Sequence, residues 1–136
     1  MAIKQLNPYL QLNGSAAQAI RLYESALGAE TEARMTFADA PGMNQPEHKD
    51  RIMHSVLRVG PNVLMVSDTM PGQPTSSGGS IDVCLDFDDV NDMASKFDAL
   101  SVGGKVTTAL QDTFWGARFG TLTDAFGVRW MFNCMK

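Results

Sequence analysis

Leu6 Asn7 Pro8 Tyr9 Leu10 Gln11 Leu12 Asn13 Gly14 Ser15 Ala16 Ala17 Gln18 Ala19 Ile20 Arg21 Leu22 Tyr23 Glu24 Ser25 Ala26 Leu27 Gly28 changes its period partway along. Through Leu12 the residues alternate, with Leu6, Leu10 and Leu12 on one side and Asn7, Tyr9 and Gln11 on the other, as in a half-buried strand. Beyond Gly14 the apolar residues Ala16, Ala19, Ile20, Tyr23 and Leu27 recur at helical spacing. Ser15 with Gln18 three residues later reads as a capping box, and Gly28 supplies the left-handed residue that ends a helix.

The same switch occurs again downstream. Ile81 to Phe87 alternates, and Asp89 caps a second helix striped by Val90, Met93, Phe97 and Leu100, which Gly103 and Gly104 end. After the first helix, strands are expected at Thr31 to Ala38, Arg51 to Val59 and Val63 to Ser67, the last two joined by a hairpin turn through Gly60, Pro61 and Asn62. After the second, strands are expected at Lys105 to Leu110, Ala117 to Thr123 and Val128 to Cys134, with Asp124 Ala125 Phe126 Gly127 as a turn. Strand, helix, strand, strand, strand thus runs twice at an offset of about 75 residues, an internal duplication. The fold class is α+β, two tandem βαβββ modules: module 1 about 1–70, a Gly/Pro/Ser-rich linker about 71–80 and module 2 about 81–136. The polar loop from Asp39 to Asp50 is long for a connection and reads as a solvated excursion or flap.

Composition excludes several function classes. The chain has 136 residues, enough for one compact core or two small modules sharing one. With 11 basic and 15 acidic residues its formal charge is -4, which leaves no electrostatic footprint for nucleic acid. No apolar run is long enough to span a bilayer, and the N-terminus lacks a secretory signal pattern, so a cytoplasmic location is expected. Alternation turns Cys84 toward the Asp82 and Asp86 face and Cys134 toward the Trp130 and Phe132 face. The two thiols are expected to stay reduced.

The chain resembles the vicinal oxygen chelate superfamily, which includes glyoxalase I, bleomycin- and fosfomycin-resistance proteins and extradiol dioxygenases, and within it the PhnB-like branch. The matching segments are Asn7 Pro8 Tyr9 Leu10, the helix end from Ala19 Ile20 to Leu27 Gly28 Ala29, His54, Met65 Val66 Ser67 Asp68, and Thr113 Phe114 Trp115 Gly116 through Phe126 Gly127 Val128 Arg129 Trp130. The resemblance implies curved mixed sheets around a cavity with the helices outside, and a homodimer. It also implies four metal-ligand positions, which fall on Asn7, Met65, Asp82 and Met131. Zinc, nickel and iron need His, Cys or carboxylate donors. Only Asp82 qualifies, so the ancestral metal site reads as lost, with no metal and no cofactor expected.

Alternation provides an independent division of the strands. Leu6, Leu10 and Leu12, Leu64 and Val66, Val83, Leu85 and Phe87, and Trp130 and Phe132 face the helices. Asn7, Tyr9 and Gln11, Met65 and Ser67, Asp82 and Asp86, and Arg129, Met131 and Asn133 face the other way. A mixed lining with methionine walls suits a ligand cavity, although a solvated sheet face has the same pattern. Trp115, on a connection between strands, is the aromatic placed to form a pocket rim. The candidate ligand-binding residues are Asn7, Tyr9, Met65, Ser67, Asp82, Trp115, Arg129 and Met131.

The remaining chemistry is sparse. Asp82 and Asp86 have the spacing of an acid and base pair or of a solvated strand. Arg129 either neutralises one of them or orients an anionic ligand. A three-residue hairpin loop puts His54 opposite Asp68 on the helix side, in a structural pair. His48 reads as solvent-exposed. No nucleophile signature and no phosphate- or dinucleotide-binding loop is present, and the methyltransferase label often attached to PhnB-like sequences finds no cofactor loop here. The expected function is binding of a small organic molecule, with catalytic residues unknown. The alternatives are a metal-dependent glyoxalase-like lyase or isomerase, a dioxygenase-type enzyme, or an interaction module that covers Trp115 with a partner chain.

Overall fold

In the computed structural model, residues 2–40, 42, 46–73, 75 and 79–136 are described. Parts of the expected 39–50 loop and 71–80 linker lie outside them. The chain divides into two compact units, Met1–Thr75 and Ser76–Lys136. Each is a four-stranded mixed sheet with one helix, so the architecture is α+β with two tandem βαβββ modules.

The first unit contains β1 (Tyr9–Leu12), α1 (Ala16–Leu27), β2 (Glu30–Thr36), β3 (Ile52–Val59) and β4 (Asn62–Asp68), in sheet order β1-β4-β3-β2. β1 runs parallel to β4, and the other neighbours are antiparallel. α1 buries Ala16, Ala19, Ile20, Tyr23 and Leu27, the stripe read from the sequence, against a sheet face that buries Leu12, Leu57, Leu64 and Val66. Burying each large aliphatic side chain contributes about 1.5–3 kcal/mol.

Several local expectations are corrected. The Ser15 side chain makes no cap hydrogen bond. Instead Asp68, 6 % exposed at the end of β4, accepts from Gly14 N at 2.7 Å and Ala16 N at 3.1 Å with Oδ1, and from Ile52 N at 2.9 Å with Oδ2. A carboxylate from the neighbouring strand β4 therefore satisfies donors at the helix entry, while the serine bond expected farther into the first turn is not made. Leu6, expected on the core face, precedes the strand and is 93 % exposed. β2 ends at Thr36, and Phe37–Asp39 turns as a 3-10 helix in which Thr36 and Asp39 form a capping box.

The second unit contains β5 (Val83–Phe87), α2 (Val90–Leu100), β6 (Lys105–Asp112), β7 (Ala117–Thr123) and β8 (Arg129–Met135), in the matching order β5-β8-β7-β6. Asp89 Oδ1 caps α2 by accepting from Asn91 N at 2.8 Å and Asp92 N at 3.2 Å. Met93, Phe97 and Leu100 of α2 are buried, as are Leu122, Trp130 and Phe132 of the sheet. Phe97 meets Phe132 edge-on at 5.1 Å. Gly120 makes room there, since a Cβ on it would stand 3.1 Å from Phe97 Cε2 and 2.8 Å from Leu110 Cδ2. Cys84 is exposed, Cys134 is buried and both are free thiols.

Candidate functional site

The sheet of the first unit has one face covered by α1 and one open face, and Tyr9 and Met65 pair across β1 and β4 on the open one. Met65 in turn pairs with Val56 of β3. The β3–β4 turn holds only Gly60 and Pro61 between the paired residues Val59 and Asn62, with a positive φ at Gly60 that suits the first position of a two-residue hairpin. The expected three-residue loop was one residue too long. In a strand that slip reverses the face of every side chain, so His54 stands on the open face rather than opposite Asp68. Its Nδ1 lies 2.9 Å from Tyr9 Oη, with the rings tilted and 5.9 Å apart. Ser67 is buried, and Asn7 lies half-buried just before β1.

In the second unit a cleft of about 360 Å³ opens on the face away from α2. Asp82, Thr107, Thr121, Thr123, Arg129 and Met131 line it. Two of the strand registers build it: Thr121 pairs with Met131 and Thr123 with Arg129, while register shifts in β6 accompany the approach of Thr107 Oγ1 to 2.5 Å from Thr121 Oγ1. The Arg129 guanidinium meets Asp82 in a fork, Nε to Oδ1 at 2.8 Å and Nη2 to Oδ2 at 3.3 Å. Its Nη1 donates to the Gly79 carbonyl. Of the two roles open to Arg129, neutralising an aspartate is the one its contacts show.

Asp86, farther along β5, accepts from Asn133 Nδ2 at 3.1 Å. Both aspartates of the suggested acid and base pair are therefore held by side chains of β8. Cys84 stands between them in sequence, and desolvation, followed by the charge of Asp86, raises its thiol pKa above the ordinary value.

Trp115 is 49 % exposed in the β6–β7 turn. It packs edge-on against Phe119 at 5.8 Å and Phe114 at 5.0 Å. Its turn precedes Ala117, at the opposite end of β7 from Thr123, and Trp115 does not line the cleft among Asp82, Arg129 and Met131. His48 is half-buried rather than open to solvent. The eight candidate residues thus fall into two sets, Asn7, Tyr9, Met65 and Ser67 in the first unit and Asp82, Trp115, Arg129 and Met131 in the second. The threonine hydroxyls of the cleft escaped the sequence reading. Alternation about the buried Leu122 is a signal that could have found Thr121 and Thr123, but the register shifts of β6 leave no comparable signal for Thr107.

The four inherited ligand positions do not fit a zinc, nickel or iron ion. Asn7 offers a weak amide oxygen, Met65 and Met131 offer thioethers, and the single carboxylate, Asp82, is engaged by Arg129. Among the described residues no three His, Cys, Asp or Glu side chains cluster to hold a metal. No helix among them is long and apolar enough to cross a membrane.

Two open sheet faces, arranged by a duplicated βαβββ unit, define the class, and comparison with known proteins agrees. Residues 5–132 match the Glyoxalase/Bleomycin resistance protein/Dioxygenase superfamily, and the chain belongs to it. It is 36 % identical to Protein YjdN of Escherichia coli (strain K12), covering 96 % of this chain and 95 % of that one. The crystal structure of protein PA1353 from Pseudomonas aeruginosa is similar with a TM-score of 0.87 and 40 % identity, over 98 % of both chains. A PhnB protein from Bacillus cereus shares the fold, with a TM-score of 0.81 at 17 % identity over 96 % of this chain and 99 % of that one.

Proposed function

We propose that this protein binds a small organic molecule without the metal ion of its catalytic relatives. The observation that carries this reading is the cleft beside β8, a concave site of about 360 Å³ with hydroxyl groups, a thioether wall and one ion pair. Such a volume falls in the range of small-molecule pockets, which combine apolar walls with a few placed polar groups. The engagement of Asp82 by Arg129 supports the absence of a metal, because an incoming cation competes with a guanidinium for the one strong donor of the set. Tyr9, Met65, Ser67 and Asn7 form a second candidate surface on the first unit, and Trp115 is the candidate aromatic contact on the second.

A homodimer, on the strength of the family resemblance, and a cytoplasmic location, the expectation drawn from the sequence, complete the proposal. The deciding measurement is metal content after purification without added ions, combined with a small-molecule screen followed by NMR. Less than about a tenth of an equivalent of divalent metal, with hits that shift Thr121, Thr123 and the Met131 methyl, is the expected result. Stoichiometric metal, or turnover abolished by a chelator, overturns it.

A further inference from the structure

We infer that the cleft of the second unit selects an uncharged ligand carrying a hydroxyl, carbonyl or amide edge. This rests on the binding role proposed above for the same cleft and adds the chemical class of its occupant. Asp82 and Arg129 are the two charged side chains among the described lining residues, and they face each other fork to fork. The third arginine bond, to the Gly79 carbonyl, directs the guanidinium toward the chain segment before β5 as well. An anion approaching Arg129 therefore meets the Asp82 carboxylate at the same place, and a cation approaching Asp82 meets the guanidinium. The described lining residues carry no net charge with which to attract either.

The remaining polar groups favour neutral partners. Thr107 and Thr121 share one hydrogen between their oxygens at 2.5 Å, so the hydroxyl that accepts keeps its own proton for another acceptor. Thr123 adds a third hydroxyl to the lining. Hydroxyls both donate and accept, which suits carbonyls, amides and alcohols, while Met131 offers a polarisable apolar wall. Lys105 pairs with Thr123 in register but is exposed and is not one of the lining residues. Asp86 is held by Asn133.

Benzamide, benzoate and benzylammonium share one ring and differ in charge, so they separate the possibilities. Titrations of the full chain at neutral pH are followed by NMR at the Met131 methyl and the Thr121 and Thr123 amides. Benzamide is expected to bind at least about tenfold more tightly than either ion, a factor equal to about 1.4 kcal/mol. Asp82→Asn leaves Arg129 without its counter-charge and is expected to raise benzoate affinity by about tenfold. The Asp82→Asn, Arg129→Gln double variant is expected to lose that gain and to prefer benzamide again. Benzoate or benzylammonium binding the wild-type cleft as tightly as benzamide overturns the inference and leaves the binding site standing. So does an Asp82→Asn variant, folded by its NMR spectrum, with no gain for benzoate. If none of the three probes moves the cleft signals, the binding role assigned to the cleft fails with it.

Discussion

Trp130 donates its indole Nε1–H to Asp124 Oδ2 at 2.9 Å in the interior of the second unit. The other oxygen of the same carboxylate accepts from Phe126 N at 2.9 Å and Val128 N at 3.0 Å, so Asp124 folds the β7–β8 turn around the side chain that anchors it. It is 3 % exposed, which removes water as a substitute partner. Asp124→Ala is expected to destabilise the protein by about 1–3 kcal/mol, because the buried indole N–H loses its acceptor, while the part-buried Phe126 and Val128 N–H groups add less. Urea denaturation measures it, and a loss below about 1 kcal/mol refutes the assignment.

The two tryptophans are expected to behave differently. Trp130 is 1 % exposed and Trp115 49 %, so Trp130→Ala is expected to cost roughly 3–5 kcal/mol. Trp115→Ala is expected to cost under about 1 kcal/mol, since its ring is half solvated and packs edge-on against Phe114 and Phe119. Equal losses in thermal or urea unfolding show that Trp115 is core.

Gly120 is a packing requirement, not a conformational one. An added Cβ meets Leu110 Cδ2, the Thr108 carbonyl at 3.0 Å and Phe97 Cε2. Gly120→Ala is therefore expected to destabilise by about 1–3 kcal/mol through overpacking. Combining it with Phe97→Leu relieves one of the three contacts, and the double-mutant cycle is expected to show a favourable coupling between the two sites. Strict additivity rules out this explanation.

Cys84 is expected to alkylate slowly at pH 8. Partial desolvation of the thiol raises its pKa, and the neighbouring Asp86 carboxylate raises it further, so the thiolate fraction stays low until the pH passes the elevated value. Asp86→Asn removes the smaller cause and is expected to shift the rate profile to lower pH without bringing it back to that of an unperturbed thiol. Iodoacetamide kinetics across the alkaline range, with a Cys134→Ser background, read the shift. An unchanged profile in Asp86→Asn contradicts the electrostatic part.

Tyr9→Phe deletes the hydroxyl beside His54 Nδ1 at a solvent-accessible site. Stability is expected to change by less than about 0.5 kcal/mol, while the Nδ1 resonance of His54 in an imidazole nitrogen NMR spectrum moves. A His54 spectrum insensitive to Tyr9 shows that the bond is not held in solution.

The order of elements was legible because periodicity is local. Ala16, Ala19, Ile20, Tyr23 and Leu27 mark α1 from within one segment, and Trp130 and Phe132 declare the buried side of β8 by alternation alone. His54 was misplaced because its face depends on the length of a turn several residues away. Gly60 Pro61 is compatible with a two- or a three-residue hairpin loop, and the choice reverses the strand. The helix cap was misassigned for a related reason. Ser15 is the local candidate, whereas the group that serves the helix entry, Asp68, arrives from the end of β4.

The candidate site shows the same boundary. Alternation put Asp82, Arg129 and Met131 on one face, but not which atoms of Arg129 are already taken, nor that Thr107 joins Thr121 across the irregular register of β6. Those outcomes decide between the two roles the sequence leaves open for Arg129, and in the cleft its charge and that of Asp82 cancel.

The sequence by itself determined the duplicated βαβββ plan, the buried stripe of each helix and the family, since each is written in short-range periodicity or in contiguous motifs. Tertiary structure alone decided the partners: His54 with Tyr9, Asp68 with the α1 entry, Asp82 with Arg129. Each of these pairs joins residues far apart in the chain, and its existence depends on turn lengths and strand registers, in which a shift of one residue moves a side chain to the opposite face of its sheet.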